Sequence, residues 1–443
     1  MERYSNSTRE VAQDGRRGAL MLSISIKHPD SEKFIDAKLD TNKVTGANVS
    51  VKIDDEFMRA AIEGRSYTQQ FPINADKPKF VQNIDASKLW QKIIHNAWKS
   101  AEPGVLFWDT IIRESVPDCY ADEGFVTVST NPCGEIPLCP YDSCRLLAIN
   151  LYSYVENPFT KEASFNFDLF KEHVHKAMHL MDDIIDLELE KIELIIDKIA
   201  SDPEDKDIRR VELELWHKIK DMAVKGRRTG LGITAEGDML AALGLRYGSN
   251  KALDFATKVH QTLAIEAYRE SVNMARVRGA FTIFNAEKEK NNPMINRLKA
   301  ADASLYEEMV KYGRRNIAML TIAPTGTTSL MSQTTSGIEP VFRPVYKRRR
   351  KINPSDHDNK VTSIFTDDQG QMFEEYNVFH HKFVDWLRIN GYDISRLETI
   401  SDAELDKWVA ASPYHKATAN DIDWVAKVKM QGAIQKWVDH SIS

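Results

Sequence analysis

The sequence predicts an α/β fold in which parallel strands alternate with helices. Alternating apolar residues near 22–26 and 49–53 predict two strands, and Pro29 is placed to open a short helix between them. The nearly continuous apolar run of residues 316–323 is typical of a parallel strand that is buried on both faces. Strands separated by helices favour a barrel, or a parallel sheet that carries a helical insert.

Three further segments complete the predicted element order. The segment FVTVST, residues 125–130, is a strand candidate that leads into a loop rich in cysteine. A helix is predicted over residues 258–279, because apolar residues recur on one face and Gly279 ends the pattern. Residues 165–224 are helical and charged, with a break at 201–207, and form the predicted insert.

The bulk composition excludes several classes of protein. The 443 residues suffice for one large α/β domain or for two or three ordinary ones. A net charge of -6 predicts no broad attraction to nucleic acid. No apolar run approaches the roughly 18–20 residues of a spanning helix, so no membrane contact is expected. Four cysteines in so long a chain do not form a disulfide framework, which favours a reducing cytoplasm.

Three of the four cysteines lie in the segment STNPCGEIPLCPYDSC, residues 129–144. Their spacing contains no CxxC pair, which argues against a zinc site. One alternative is that they pack as small hydrophobic residues. If the segment is extended, however, Asn131, Cys133 and Glu135 point to the same side. They would then combine a reactive sulfur, a general base and a hydrogen-bonding amide.

A threonine-rich turn follows the predicted strand of residues 316–323. Backbone N–H groups at the start of the next helix, together with the threonine hydroxyls, would form an anion site. The alternative is an ordinary helix cap. The candidate residues are Pro324, Thr325, Gly326, Thr327 and Thr328.

The segments NPCGEIPL and PYDSCRLLAINL resemble the finger loop of ribonucleotide reductase large subunits, most of all those of the adenosylcobalamin-dependent class II. Five other stretches are similar to this family, in family order: GRRGALMLSISIKHPDSEKFI (15–35), NVSVKIDDEFM (48–58), PGVLFWDTIIRES (103–115), GRRTGLGITAEGDMLAALGLRYG (226–248) and APTGTTSLMSQTTSGIEPVF (323–342). The resemblance covers most of the chain up to about residue 350. It implies that residues 1–443 are one core fragment of a ten-stranded α/β barrel, incomplete at both ends, with the helical insert at about 165–224.

The resemblance also implies roles for the residues of the cysteine loop. Cys133 would carry a transient thiyl radical that abstracts the ribose 3′-hydrogen, so we expect it in a dry, rigid pocket. Glu135 would accept the proton of the 3′-hydroxyl, and Asn131 would hydrogen-bond the substrate and Glu135. Cys144 would be one of two reducing thiols, whereas Cys139 and Cys119 match no family role and are interpreted as structural. The threonine turn would bind the substrate phosphates.

A second loop, LDTNKVTGANVSV at residues 39–51, aligns with the family loop that links effector binding to substrate choice. Asn42, Lys43 and Asn48 offer donors and acceptors for a base edge, and Gly46 would allow the loop to change shape. The alternative is an ordinary connection between strands.

By resemblance, the function is radical reduction of ribonucleotides, as diphosphates, to deoxyribonucleotides. Adenosylcobalamin would generate the radical, and dNTP or ATP would act as effector. The complete enzyme would be a homodimer, and a thioredoxin-like protein would reduce it. Two alternatives remain: a class I large subunit served by a separate metal-bearing subunit, and a non-catalytic nucleotide-binding fragment. The second reducing thiol of the family has no counterpart, because no cysteine precedes Cys119. A new strand begins in QKWVDHSIS at the end of the chain, so we expect the missing N- and C-terminal segments elsewhere, including on another chain.

Two E-x-x-H patterns, Glu172/His175 and Glu214/His217, resemble those of di-iron bundles. Nothing else in the sequence has bundle organisation, so no metal site is expected.

Two charge runs are interpreted as surface features. The acidic run at residues 182–186, which contains Asp182, Asp183 and Asp186, is expected on a solvated helix face. The basic run YKRRRKIN at 346–353 is expected to be a surface patch without direct DNA binding.

Overall fold

The computed structural model describes residues 1–13, 16–352 and 364–443. Gly15, which opens the first family-like stretch, and Asn353, which ends the basic run, therefore lie outside the described residues. The strands are β1 (Ala12–Gln13), β2 (Arg16–Arg17), β3 (Met21–Ser25), β4 (Asn48–Ile53), β5 (Ser66–Phe71), β6 (Phe80–Asp85), β7 (Gly104–Phe107), β8 (Ser129–Thr130), β9 (Pro137–Leu138), β10 (Leu146–Asn150), β11 (Val155–Glu156), β12 (Ser164–Phe165), β13 (Gly230–Thr234), β14 (Val345–Lys351), β15 (Ile364–Thr366) and β16 (Met372–Phe379).

The helices alternate with these strands through most of the chain. They are α1 (Glu2–Glu10), α2 (Ser31–Ile35), α3 (Asp55–Glu63), α4 (Ala86–Ser100), α5 (Trp108–Glu114), α6 (Phe167–Ser201), α7 (Lys206–Gly226), α8 (Glu236–Ala242), α9 (Asn250–Arg278), α10 (Ala286–Glu289), α11 (Pro293–Ala301), α12 (Ala303–Tyr312), α13 (Gly326–Ser332), α14 (His381–Ile389), α15 (Asp402–Ala411) and α16 (Trp424–Gln435). In the part of the chain that the structure describes, no helix is both long enough and apolar enough to cross a membrane.

A first parallel sheet is formed by β3, β4 and β7, in that order. The two strands predicted near residues 22–26 and 49–53 are thereby confirmed. The short helix predicted between them is also confirmed; α2 begins at Ser31, two positions after Pro29. Val49, Val51 and Ile53 are buried and pack in one hydrophobic cluster with side chains of α3 and α4, which explains the alternation in the sequence.

A second parallel array lies at the centre of the chain. β10 pairs with β13, Leu231 of β13 forms a parallel bridge with Leu320, and Ile322 forms another with Ile442. The predicted buried strand at 316–323 is confirmed as an extended, parallel segment, and residues 316–322 are buried. Its pairing is limited to single bridges. At the end of the chain, where a new strand is predicted to begin, Ile442 forms the single parallel bridge with Ile322.

The helices predicted at 165–224 are confirmed as the pair α6 and α7, which is broken at residues 202–205. That this pair is an insert stays a prediction. The helix predicted at 258–279 is the C-terminal part of α9, and Gly279 ends it as expected. The strand predicted at 125–130 is wrong for its first four residues. The backbone N–H of Thr127 donates to the carboxylate of Asp118 at 2.9 Å instead of joining a strand, and only β8 remains.

The expected ten-stranded barrel is not confirmed. Within residues 1–13, 16–352 and 364–443, the strands form seven separate sheets of two or three strands and no closed barrel. The basic run lies on β14 and is exposed, as predicted for a surface patch. Two acidic neighbours neutralise part of its positive charge. Arg349 lies 2.8 Å from Glu375 of β16, and Lys347 lies 2.7 Å from Asp402 of α15.

The solvated face predicted for the acidic run is wrong for Asp182. Asp183 and Asp186 are about half exposed, but Asp182 is 0% exposed on the inner face of α6. Its carboxylate accepts hydrogen bonds from Arg227 at 2.8 Å, Arg278 at 3.0 Å and Arg315 at 3.1 Å. Burial opposes ionisation, but these arginines outweigh it and hold the pKa of Asp182 below its usual value. This cluster ties the insert to α9 and to the central array.

We predict that Asp182→Asn lowers the free energy of unfolding by about 3–5 kcal/mol, because it removes the counter-charge of the buried Arg227 and of the less buried Arg315 and Arg278. Since the folded pKa is lowered, the stabilisation is present above the unfolded pKa and is lost as the pH falls through the folded one. The variant should therefore lose less stability in acid than the parent chain. Denaturant titrations at several pH values would measure both effects.

Asp183→Asn is the matched control, because Asp183 is half exposed and contacts Arg278 at 2.7 Å. It should cost about 0–1 kcal/mol. Equal losses for Asp182→Asn and Asp183→Asn would contradict the structural role given to Asp182.

Candidate active site

The cysteine loop forms the tip of a short hairpin. β8 pairs with β9 in antiparallel fashion, and residues 131–136 connect them. The side chain of Asn131 closes this tip, because its Oδ1 accepts a hydrogen bond from the N–H of Ile136 at 3.0 Å. Gly134 adopts a φ of 84°, in the left-handed region that favours glycine. The extended geometry expected for Asn131, Cys133 and Glu135 is therefore wrong; the segment is a closed turn.

The turn places Cys133 and Glu135 in different environments. Cys133 is exposed, so the dry pocket expected around its sulfur is not formed by this chain. Glu135 is 1% exposed, and its Oε2 has no hydrogen-bond partner in the described structure. The two side chains still interact. Partial burial raises the pKa of the Cys133 thiol, and the negative charge of Glu135 raises it further.

The hairpin is held between the two parallel sheets. At its base, the hydroxyls of Ser129 and Ser23 of β3 lie 3.0 Å apart. At its tip, the carbonyl oxygen of Glu135 accepts hydrogen bonds from the hydroxyl of Thr321 and the N–H of Ser441, each at 2.9 Å. Both sheets thus contribute to the position of Glu135.

Sequence reasoning missed three residues that support the hairpin. Thr321 is the one hydroxyl-bearing residue within the apolar run, and that contrast was an available signal. Ser441 carried no signal beyond its place in the final strand. Lys52 of β4 donates to the carbonyl of Val128 and lies 4.0 Å from the centroid of a Trp108 ring. Burial lowers the pKa of Lys52. The signal in the sequence was a lysine within the alternating pattern of a strand.

Cys144 lies between the hairpin and β10, and it is partly buried. Burial raises the pKa of its thiol to about 12; the positive charges of Arg228 and Arg145 act in the opposite direction. The charge of Glu135 acts on both Cys133 and Cys144, while Asn131 shapes the turn that carries Cys133 and Glu135.

The remaining cysteines and the E-x-x-H pairs do not form a metal site in the described part of the chain. There, no group of three or more His, Cys, Asp or Glu side chains is arranged to hold a metal ion. Cys139 is buried and Cys119 is partly buried, and both are free thiols. His175 lies 2.8 Å from Glu266 of α9, whereas Glu172 pairs with Lys176.

The threonine turn divides into a buried and an exposed part. Thr325 is buried, and its hydroxyl lies 2.9 Å from the hydroxyls of Thr234 and Ser336 and accepts from the N–H of Gly337 at 2.8 Å. This hydroxyl therefore clamps the loop instead of facing a ligand. The other four candidates, Pro324, Gly326, Thr327 and Thr328, are exposed at or before the start of α13.

The loop predicted to govern substrate choice is held by α1. Gly46 donates its N–H to the hydroxyl of Ser5 at 2.8 Å. A Cβ on Gly46 would lie 2.4 Å from the carbonyl oxygen of Ser5, so this glycine permits close packing. This contact gives Gly46 a packing role, and the expectation that it lets the loop change shape stays a prediction. The side chains of Asn42, Lys43 and Asn48 are exposed, and Lys43 lies 3.3 Å from Asp40.

Similarity to known proteins covers the chain wholly or in large part. The family model described as "Ribonucleotide reductase, barrel domain" matches residues 1–443. The vitamin B12-dependent ribonucleoside-diphosphate reductase of Thermoplasma acidophilum is 30% identical over 446 residues, which cover 100% of this chain and 49% of the relative. The enzyme of the same name from Mycobacterium tuberculosis (strain H37Rv) is 30% identical over 78% of this chain and 41% of its own length.

A more distant relative, the ribonucleoside-diphosphate reductase subunit alpha of Chlamydia pneumoniae, is 22% identical over 78% of this chain and 35% of its own length. The chain spans about half the length of the Thermoplasma relative. Because the family model covers every residue, the chain belongs to the ribonucleotide reductase barrel-domain family.

Proposed function

We propose that this chain forms the catalytic core of an adenosylcobalamin-dependent ribonucleoside-diphosphate reductase. The observation that carries the proposal is the hairpin tip, where the exposed thiol of Cys133 lies in electrostatic range of the buried carboxylate of Glu135. The names of the Thermoplasma and Mycobacterium relatives favour the cobalamin-dependent class.

The hairpin tip is open enough for a group as large as adenosylcobalamin to approach Cys133. The thiol of Cys133 is accessible, and a Cβ built on Gly134 would meet no atom within 4 Å, so a bulky group can approach the tip. When bound, the cofactor would supply the radical that removes a hydrogen atom from this thiol. Loss of a hydrogen atom requires the neutral S–H form, which the raised pKa of Cys133 favours.

The thiyl on Cys133 would then take the 3′-hydrogen of the ribose. Glu135 would accept the proton of the 3′-hydroxyl, because its Oε2 is buried and keeps unfilled acceptor capacity. Asn131 would orient the substrate from the same turn. The substrate and the rest of the protein would supply the dry surroundings that this chain alone does not give to Cys133.

The phosphates of a ribonucleotide would bind at the exposed part of the threonine turn. In support of this role, Thr327 and Thr328 are exposed in the first turn of α13, where the hydroxyl of Thr328 donates to the carbonyl of Thr325 at 3.2 Å. Thr321 supports the hairpin and lies only three residues before Pro324, so a single segment connects the two halves of the proposed site.

Several further features belong to the complete protein. Cys144 would act with a second thiol, and a thioredoxin-like dithiol would reduce the resulting disulfide. The loop with Asn42, Lys43 and Asn48 would link a dNTP or ATP effector to substrate choice. We also propose the ten-stranded barrel, the homodimer and a cytoplasmic location, the last because all four cysteines are free.

Two other functions have specific support. The Chlamydia relative favours a class I large subunit, and the absence of cysteine before Cys119 favours a non-catalytic nucleotide-binding fragment. Activity of the chain with adenosylcobalamin and ADP or CDP, alone and in a complete enzyme that carries it, separates the three. Cobalamin-dependent turnover without a second protein excludes class I. Nucleotide binding without turnover in any complete form supports the fragment.

One prediction of this proposal concerns Cys133, the residue proposed to carry the radical. In a complete enzyme, Cys133→Ser should abolish deoxynucleotide formation, because a hydroxyl does not give up its hydrogen atom as a thiol does, while nucleotide binding stays nearly intact. Isothermal titration and product chromatography would measure the two properties. Cys119→Ser is the control and should leave both unchanged; substantial turnover in Cys133→Ser would reject the radical assignment.

The second prediction concerns the reducing thiol. Cys144→Ser should still permit radical formation, followed by paramagnetic resonance, but should block repeated turnovers with a dithiol protein. Sustained turnover of this variant would show that Cys144 is not a reducing thiol.

The third prediction separates support from binding in the threonine turn. Thr325→Val removes a buried hydroxyl with three partners and should lower the free energy of unfolding by about 1–3 kcal/mol. Thr327→Val, at an exposed position, should leave stability within about 0.5 kcal/mol but weaken nucleotide binding. Denaturant titration and calorimetry with CDP would test both. Unchanged CDP affinity in Thr327→Val would remove Thr327 from the phosphate site.

A further inference from the structure

A buried ion pair lies behind the cysteine hairpin. The Nη2 of Arg228 is 2.7 Å from the Oδ2 of Asp142, and the two side chains are 2% and 1% exposed. The Nη1 of Arg228 also donates to the carbonyl of Pro137 on β9 at 2.9 Å. A fully buried guanidinium is therefore fixed against the hairpin by one carboxylate and one backbone carbonyl.

This guanidinium lies beside thiols of the hairpin segment. Its Nη2 is 3.6 Å from the Sγ of Cys139. Cys144 packs against the start of β13. A Cβ built on Gly230, which lies two residues after Arg228, would be 2.7 Å from the Sγ of Cys144. Arg145 completes the contact by donating to the carbonyl of Arg228 at 3.0 Å. The charged side chains that act on Cys144 are Arg228, Arg145, Asp142 and Glu135.

The polar groups around the hairpin are not saturated. Among the described residues, four buried side-chain atoms around the hairpin have no hydrogen-bond partner: Arg228 Nε, Arg145 Nη2, Glu135 Oε2 and His440 Nε2. The Oδ2 of Asp142 is already held by its ion pair with Arg228. Two of the four atoms are donors on cations, so the cluster retains the capacity to stabilise one more negative charge next to Cys144.

We propose that Arg228 is a positioning residue that stabilises the thiolate of Cys144, and that Asp142 limits this effect. The proposal rests on the proposed function, in which Cys144 is a reducing thiol. Thiol–disulfide exchange proceeds through thiolates. When the thiolate of an external dithiol attacks the other sulfur of a disulfide that contains Cys144, the electron pair of the S–S bond leaves on Cys144. That sulfur then takes up a proton. A buried thiolate without a nearby cation would leave slowly.

The test is the rate at which iodoacetamide alkylates Cys144 in the intact chain, followed by mass spectrometry at several mildly alkaline pH values. Asp142→Asn keeps the shape of the side chain but removes the opposing charge, so alkylation should accelerate by about tenfold for each unit of pKa that is lost. Arg228→Gln should slow it by a similar factor. Arg228→Lys keeps the charge and should retain most of the original rate.

Cys119 supplies an internal control, because its alkylation in the same samples should change in none of the variants. If Arg228→Gln fails to fold, Cys119 also becomes reactive, and the other two variants decide the question. Local opening caused by an unpaired buried charge would accelerate Cys144 in both Asp142→Asn and Arg228→Gln, whereas the proposal requires acceleration in the first and slowing in the second. An unchanged or slower rate in Asp142→Asn, or a faster rate in a folded Arg228→Gln, overturns the proposal. The assay uses no nucleotide and no cobalamin, so its failure is distinct from a failure of the proposed function.

Discussion

The hydrogen bonds from Thr321 and Ser441 to the carbonyl of Glu135 are the contacts on which the candidate site depends. They attach the hairpin tip to the central parallel array, while the serine contact at its base attaches it to the N-terminal sheet. A two-residue strand pair is too short to be stable alone. The hairpin therefore takes its geometry from the two sheets, and any ligand of its tip would depend on their relative position.

Two adjacent arginines link this arrangement to the rest of the chain. Arg227 bonds to Asp182 on the helical insert, and Arg228 bonds to Asp142 behind the hairpin. Because both pairs are buried, loss of either partner would leave an uncompensated charge in a medium of low polarity. The short segment before β13 thus fixes the helices α6 and α7 on one side and the cysteine hairpin on the other.

Under the proposed function, the exposure of Cys133 means that this chain alone does not enclose the reacting thiol. A thiyl radical requires exclusion of water, and the hairpin tip is open. Leu330 and Met331, on the helix that follows the threonine turn, are likewise 79% and 83% exposed. Large apolar side chains at such exposure are typical of surfaces that another group covers. The proposed reaction therefore places the substrate, the cofactor and the remaining half of the relatives' length over this surface.

The sequence by itself determined the types of several elements and the chemical inventory. Periodicity identified the strands around β3 and β4, the buried segment before the threonine turn and the paired helices of the insert, because burial imposes a period of two or 3.6 on apolar residues. The ordered motifs identified the family, since they hold their spacing along the chain. Local patterns could also rank Cys133, Glu135 and Cys144 as candidates.

Only the tertiary structure decided which side chains meet and which face solvent. Asp182 and Asp183 are adjacent in the same acidic run, yet one is buried among arginines and the other is half exposed. The clamp at Thr325 joins its hydroxyl to that of Thr234, 91 residues away, and the hairpin tip depends on Thr321 and Ser441, far along the chain from Glu135. Such contacts follow from how elements pack in space, and no local pattern of residues encodes them.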